Sequence, residues 1–207
     1  MRINMDKMTK KIIGTFAVII VVAAAIVGVF FFMNKQAEKK AQQDQLPTTE
    51  TGKLLAKDLD TKYPETPTEV VKLYWRLNRC MYNEKMSDKT FEKLYKQLRK
   101  LYDEELLASD GNSYDDMLQN FKKDKKKSEE NDQLISACVV QENKKVTVKE
   151  MNGRDCATVI SYSLIKVDGK MTRTYEQFLC RRDSKRKWRI LGWQQTTKEE
   201  AAKVGVK

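Results

Sequence analysis

The pattern of apolar and polar residues divides the chain into an apolar run, a polar linker and a mixed segment that fills the remaining length. Residues 12–33 carry no charged side chain, and Thr15 is the only hydroxyl-bearing residue among them. At about 1.5 Å per residue, a helix of this length spans roughly 33 Å, which matches a hydrocarbon core of about 30 Å. A helix buried in a globular domain would show a polar side, which this run lacks. The pattern therefore predicts a transmembrane helix over residues 12–33.

The residues around this run predict an uncleaved signal anchor with a cytoplasmic N-terminus. No small-x-small cleavage site and no lipobox cysteine follow the run. Basic residues outnumber acidic ones more clearly before the run than after it, which favours a cytoplasmic tail over residues 1–11. We therefore expect a single-pass protein of the cell membrane, with its C-terminal domain extracytoplasmic, in the cell envelope.

A polar linker follows the predicted anchor. Residues 34–60 are rich in Lys, Gln, Glu and Thr, which is typical of a juxtamembrane helix that continues as a flexible linker. Near its end, Leu54, Leu55 and Leu59 predict a short amphipathic turn that docks on the domain. We expect the folded domain to occupy residues 61–197, with a C-terminal tail over residues 198–207.

Three amphipathic helices are predicted in the first half of the domain. A residue able to cap a helix N-terminus precedes each of them: Thr66, Ser87 and Ser113. At the first helix, Pro67 suits the first helical position and Glu69 completes a capping box. The second helix carries an apolar stripe as far as Leu106, whereas the apolar side of the third ends at Phe121 and a solvated, charged stretch follows.

After Gln133 the apolar period changes to two, which predicts strands near residues 134–150, 155–166, 171–182 and 187–195. Asn152-Gly153 and Asp168-Gly169 are two-residue hairpin signals. Helices followed by a meander of strands predict an α+β fold, in which the helices pack on one face of a curved antiparallel sheet.

The Asp168-Gly169 turn also predicts the register of its hairpin. With this turn at the centre, Cys156 faces Arg181 and Ala157 faces Cys180. Cys156 and Cys180 then point to opposite faces and should not form a disulfide, so free thiols are the expectation.

The same register divides the strand residues between the two faces of the sheet. One face is predicted to hold Thr158, Ile160, Tyr162, Leu164, Tyr175, Leu179, Trp188 and Ile190. The other is predicted to hold Ala157, Val159, Phe178, Cys180, Leu191 and Trp193. Both faces are apolar, and helices can cover only one of them. The second face is therefore predicted to bind a partner protein or form a homodimer, or else to be covered by the C-terminal tail or the segment before the first helix.

Charge and composition add a candidate surface and remove several kinds of chemistry. The net charge is +11, and the sharpest basic cluster lies around one hairpin, at Arg181, Arg182, Lys185, Arg186, Lys187 and Arg189. This cluster predicts either a contact with phosphate-bearing lipids or wall polymers, or a charged hairpin that protects the end of the sheet from pairing. Histidine is absent and the four cysteines form no C-x-x-C pair, so no metal site, cofactor site or catalytic residue is predicted.

Four segments together resemble an uncharacterised family of membrane-anchored proteins of Gram-positive anaerobes with one N-terminal transmembrane helix. They are TPTEVVKLYWRLNRCMYNEKMSD, FEKLYKQLRKLYDEELLAS, NGRDCATVISYSL and TYEQFLCRRDSKRKWRILGW. The Trp188-x-Ile190-x-Gly192-Trp193 strand is similar to the last strand of the cone-shaped NTF2-like fold. The resemblance implies an NTF2-like domain behind the anchor, and it supplies no catalytic motif.

NTF2-like folds host isomerases, dehydratases, binding modules and assembly parts, so the fold does not choose a function. Tyr162, Tyr175 and Trp188 are the candidates for a ligand pocket, and Glu176 falls by strand parity on the face away from the two tyrosines. We expect a non-catalytic, extracytoplasmic interaction module. The alternatives are an assembly component of a secretion or conjugation complex, and a small-ligand-binding or enzymatic cone. Nucleic acid is a partner only if the domain is cytoplasmic.

Overall fold

The computed structural model describes residues 49–206, which contain helices followed by an antiparallel sheet. The helices are α1 (Glu50–Ala56), α2 (Pro67–Asn83), α3 (Asp88–Arg99), α4 (Glu104–Ala108), α5 (Tyr114–Glu130) and α6 (Lys198–Lys203). The strands are β1 (Leu134–Val140), β2 (Val148–Met151), β3 (Arg154–Val167), β4 (Lys170–Arg182) and β5 (Trp188–Gln195). The predicted α+β class with an antiparallel sheet is confirmed.

The predicted transmembrane helix, residues 12–33, lies outside the described residues, as do the predicted cytoplasmic tail and most of the linker. Within residues 49–206, none of the helices combines the length and the apolar character that a membrane crossing needs.

The predicted helix starts are confirmed because each depends on a local hydrogen bond. The Thr66 side chain accepts a hydrogen bond from the Glu69 N–H at 3.2 Å, and the Glu69 carboxylate accepts one from the Thr66 N–H, which completes the capping box of α2. Ser87 and Ser113 cap α3 and α5 in the same way. Such caps are encoded by neighbouring residues and need no tertiary contact.

The prediction of one continuous second helix is wrong. The chain leaves the helical conformation after Arg99 and forms a new helix, α4, at Glu104. Between them, the Leu101 carbonyl accepts a hydrogen bond from the Ile190 N–H at 2.8 Å, and the Asp103 N–H donates one to the Ile190 carbonyl at 2.9 Å. Backbone groups that a helix would use are thus paired with β5 instead, while Leu101 itself stays buried.

The sheet has the order β1-β3-β4-β5, and β2 also pairs with β3. The single strand predicted over residues 134–150 is wrong, because a 3₁₀ helix, Asn143–Lys145, separates β1 from β2. The buried Gln141 side chain fixes this break, since its amide donates to the Lys145 carbonyl at 2.8 Å and its oxygen accepts from the Ile160 N–H at 2.9 Å. Strand β3 therefore pairs with β1 along one half and with β2 along the other.

The predicted register between β3 and β4 is confirmed. Cys156 faces Arg181 and Ala157 faces Cys180, and all four cysteines are free thiols. Two long strands joined by a tight two-residue turn have little freedom to slip, so the turn sequence decides the pairing.

The predicted faces of Trp188 and Ile190 are wrong, because β5 contains a bulge. Leu179 pairs with Gly192 but Cys180 pairs with Ile190, which leaves Leu191 as an extra residue. The bulge shifts the alternation of β5 by one position. Trp188 and Ile190 consequently lie in the core cluster beneath the helices, together with Phe178 and Cys180.

The two faces of the sheet have different covers. The inner face, which packs against the helices, carries most of the core, including Val159, Phe178 and Cys180. On the outer face, Ile160 and Tyr162 pack against Ala201 and Val206 from helix α6 and the residues after it. The C-terminal segment therefore supplies a cover for this part of the outer face, which is one of the alternatives predicted from the sequence. Leu54 and Leu59 are buried, as predicted for the docking turn.

Candidate functional site

The structure does not bring the three predicted pocket residues together. Tyr162 and Tyr175 are paired across β3 and β4 on the outer face, with ring centroids 5.8 Å apart. The Arg173 guanidinium lies 4.5 Å from the Tyr162 ring centroid, and the pair packs against the C-terminal segment. Trp188 lies on the inner face, with the Arg182 guanidinium 4.9 Å from its ring centroid. The bulge in β5 separates Trp188 from the two tyrosines.

Arg181 is the most buried member of the basic cluster, and its charge is used inside the domain. Its guanidinium donates to both carboxylate oxygens of Asp103 and, at 2.8 Å, to Glu105. The Asp103 side chain is only 1% exposed and that of Arg181 is 11% exposed. The two carboxylates hold the pKa of Arg181 above its usual range. A guanidinium held by two acids has little capacity left for an external phosphate.

Other members of the cluster also have acidic or carbonyl neighbours. Arg189 pairs with Asp183 at 2.8 Å, and Arg182 and Arg186 both lie within 4 Å of Asp155. The Lys187 ammonium donates to the Asp60 carbonyl at 2.9 Å. Lys185 is exposed. These contacts support the structural interpretation of the cluster, as a charged hairpin, over the interpretation as a polyanion site.

A different site lies between the inner face of the sheet and helices α2 and α5. A cavity of ≈ 620 Å³ opens there, within the size range of small-molecule sites. Its aromatic lining consists of Tyr74, Trp75, Tyr82, Phe121 and Trp193. Polar side chains from both the sheet and the helices complete the lining, among them Asn78, Asn120, Ser163 and Glu176. We refer to this space as the inner cavity.

Strand alternation places Glu176 in the inner cavity. On β4, Glu176, Phe178 and Cys180 share one face because they are spaced by two, and Phe178 and Cys180 are fully buried. Glu176 pairs with Ser161 on one side and with Gln195 on the other. The inner face therefore changes from apolar to polar along the strands, and the cavity lies at its polar end.

Glu176 and Ser163 provide unpaired polar atoms in the inner cavity. Oε2 of Glu176 is shielded from solvent and has no hydrogen-bond partner within residues 49–206, and burial raises the pKa of this carboxyl from 4.5 to about 7. The hydroxyl of Ser163, a diagonal neighbour across β3 and β4, is also buried without a partner. By contrast, the neighbouring Ser161 hydroxyl accepts a hydrogen bond from the Trp75 indole at 2.9 Å. Buried polar atoms normally have partners, so these two mark a polar, incompletely satisfied end of the inner cavity.

Trp193 forms an exposed aromatic wall of the inner cavity. It is 40% exposed, although its ring stacks on Tyr102 and on Phe178 with centroid distances of 5.8 Å and 6.2 Å. Tyr74 contacts the same cluster, with its ring centroid 5.7 Å from that of Trp193. Neighbouring rings thus hold the indole in place while leaving part of its surface free to contact a bound molecule.

Burial keeps a tyrosine of the inner cavity and a nearby thiol protonated. Burial raises the pKa of Tyr74 well above its usual range and raises that of the nearby Cys138 thiol to about 12, so both stay protonated near neutral pH. A protonated thiol is a poor nucleophile. Residues 49–206 contain no group of three His, Cys, Asp or Glu side chains that could hold a metal ion.

Sequence reasoning placed Glu176 on the correct face but did not identify a site there. Glu176 lies on the sheet face opposite the two tyrosines, as predicted, because the predicted register of β3 and β4 is correct. The signal for the site was the alternation itself, since an acid two residues from Phe178 must lie at the border of the core. What the sequence did not show is that α5 leaves this border uncovered.

Comparison with known proteins identifies a family. A family model described as a domain of unknown function (DUF6715) matches residues 5–193. The matched range includes the apolar run of residues 12–33 and nearly all of the α+β domain. This agrees with the sequence resemblance to an uncharacterised family. No curated protein matches the chain.

Proposed function

The chain belongs to the DUF6715 family of domains of unknown function, and we propose that it is a membrane-anchored module that binds a small molecule outside the cytoplasm. The apolar run of residues 12–33 supports the anchor, and the basic residues before that run support a cytoplasmic N-terminus. Helices packed on one face of an antiparallel sheet, with a cavity between the layers, support an NTF2-like cone as the fold.

One observation carries the ligand-binding proposal. At the inner cavity, a carboxyl oxygen of Glu176 and the hydroxyl of Ser163 are shielded from water, and neither has a hydrogen-bond partner in the described part of the chain. Leaving a buried polar group unpaired costs about 1–3 kcal/mol, and a bound molecule that pairs the Glu176 carboxyl group recovers part of this cost. A purely structural cavity gains nothing from such atoms.

Contacts within the domain favour a small ligand over a protein or polyanion partner. The guanidinium of Arg181 and that of Arg189 in the basic cluster are paired within the domain, and the C-terminal segment covers Tyr162 on the outer face. Both surfaces considered for larger partners are therefore at least partly used by the domain itself. The inner cavity keeps its unpaired groups.

Blocking the inner cavity at its rim should abolish ligand binding without disturbing the core. Asn120 lines the cavity and is exposed on α5, whereas its neighbour Gln119 is exposed and does not line it. We expect Asn120→Trp to weaken binding by about tenfold or more by occupying the entrance, and Gln119→Trp to leave it unchanged. Saturation-transfer difference NMR of the full-length chain in detergent, with a set of water-soluble fragments, measures the effect. Fragment signals that are equal in both variants would contradict the proposal.

The proposed sidedness is tested on intact cells. With a tag after Lys207, protease treatment of intact protoplasts should remove the tag while a cytoplasmic control protein survives. Protection of the tag before lysis, with loss after lysis, would place the domain inside and reverse the orientation.

A further inference from the structure

Given the proposed function, in which the inner cavity binds a small molecule, we propose that its ligand is an organic cation, with a primary ammonium paired to Glu176 and an apolar body against the aromatic wall. The ammonium would donate to the Glu176 carboxylate, which borders the inner cavity and has no ion pair with a Lys or Arg of residues 49–206. A hydrogen bond between an ammonium and a carboxylate is charge-assisted and stronger than one between neutral groups.

Glu176 lacks a counter-ion among the side chains of residues 49–206. Asp103, whose side chain is only 1% exposed, is paired with the Arg181 guanidinium inside the domain. Glu176 also lies largely away from water, yet it has no ion pair with any Lys or Arg of residues 49–206. A buried carboxylate is stable when a cation accompanies it. A cationic ligand would form with Glu176 the ion pair that Arg181 forms with Asp103.

The groups that surround Glu176 do not offset its negative charge. The titratable and charged groups around Glu176 are Tyr74 and Tyr82 from α2, Asp124 and Lys127 from α5, and Cys138 from β1. Burial raises the pKa of both tyrosines and of the thiol, so they are neutral at neutral pH. Asp124 and Lys127 are exposed at the rim and oppose each other in charge. Ionised Glu176 therefore sets the sign of the interior and repels anions.

Aromatic rings form one wall of the inner cavity. The faces of Trp and Tyr rings attract cations, and the rings of Tyr74 and Trp193 lie in contact on one side of the cavity. The exposed part of Trp193 also provides an apolar surface for the rest of the ligand. A volume of ≈ 620 Å³ admits a ring or short chain together with the ammonium group.

The test uses three probes of one shape that differ in charge: benzylamine, benzyl alcohol and benzoate. Each is titrated into the full-length chain in detergent, and dissociation constants are obtained by ligand-observed NMR. We expect benzylamine to bind about tenfold or more tightly than benzyl alcohol, and benzoate most weakly. The preference should grow as pH rises through about 7, where Glu176 ionises while the amine stays protonated.

Glu176→Gln separates charge from shape in the same experiment. This variant should bind benzylamine no more tightly than benzyl alcohol and lose the pH dependence, while the exposed strand variant Glu150→Gln keeps both. Equal binding of the three probes to the wild-type chain would overturn the cation assignment. If those probes fail while the fragment set still binds in a manner that Asn120→Trp abolishes, only the cation assignment is overturned. If no binding is sensitive to Asn120→Trp, the ligand-binding proposal is overturned with it.

Discussion

Glu176→Gln is expected to raise the free energy of unfolding at pH 8 by roughly 2–3 kcal/mol and to change it little at pH 4. Burial raises the pKa of Glu176 from 4.5 to about 7, so the folded domain holds this proton more tightly than the unfolded chain does. Protonated Glu176 therefore makes a contribution to the free energy of unfolding that is fully present below pH 4.5 and is lost as pH rises through about 7. Glutamine is neutral throughout and avoids the loss.

Urea unfolding of the full-length chain in detergent at the two pH values measures this effect. Glu150→Gln, on the exposed strand β2, is the control and should differ from the wild type by less than about 0.5 kcal/mol at both pH values. A gain for Glu176→Gln that is equal at pH 4 and pH 8 would show that ionisation is not its cause. A gain would also mean that the natural glutamate costs stability in the unliganded protein, as expected for a residue retained for binding.

Arg181→Met is expected to destabilise the domain by about 3–5 kcal/mol, the range for removing one partner of a buried ion pair. Loss of the Arg181 guanidinium leaves the almost fully buried Asp103 carboxylate without a paired cation. The Asp103 side chain also caps α4 by accepting a hydrogen bond from the Glu105 N–H, and the Asp103 N–H donates one to the Ile190 carbonyl of β5. Because of these two hydrogen bonds, Asp103 cannot easily move into water.

Lys185→Met is the control for this prediction, because Lys185 belongs to the same basic cluster but is exposed. It should change stability by less than about 0.5 kcal/mol. The double variant Asp103→Asn with Arg181→Met should recover part of the loss, because no buried charge then remains. Urea unfolding gives the free energy of unfolding of the wild type and of the three variants. Equal stability of the Arg181 and Lys185 variants would contradict the structural role of Arg181.

The features that sequence could predict are those decided by a few neighbouring residues. Thr66 and Glu69 form their capping box within one turn, and Asp168-Gly169 decides the register of twelve cross-strand pairs from Cys156 to Val167. The errors lie where distant residues compete. The break after Arg99 exists because Ile190 offers backbone partners, and the bulge at Leu191 reverses the faces of Trp188 and Ile190.

The inner cavity could be only half predicted for the same reason. Strand parity placed Glu176 beside the core, which is a local property of β4. Whether a helix covers that position depends on how α5 crosses the sheet, and no local pattern in α5 reports this. That Glu176 forms no ion pair with a Lys or Arg of residues 49–206 likewise depends on tertiary placement, since the chain carries 40 Lys and Arg residues.

The irregular pieces of the sheet have a consequence for behaviour at high local concentration. An unprotected edge strand is a template on which another chain can add, and tethering proteins to one surface brings such edges together. One edge of this sheet is divided into β1 and β2 by the 3₁₀ helix. At the other edge, β5, the segment between α3 and α4 forms backbone hydrogen bonds with Ile190. Neither edge offers a long, continuous row of free backbone groups. The same interruptions that defeat a simple strand prediction therefore protect these domains against edge-to-edge aggregation at the high local concentration that the proposed membrane anchor implies.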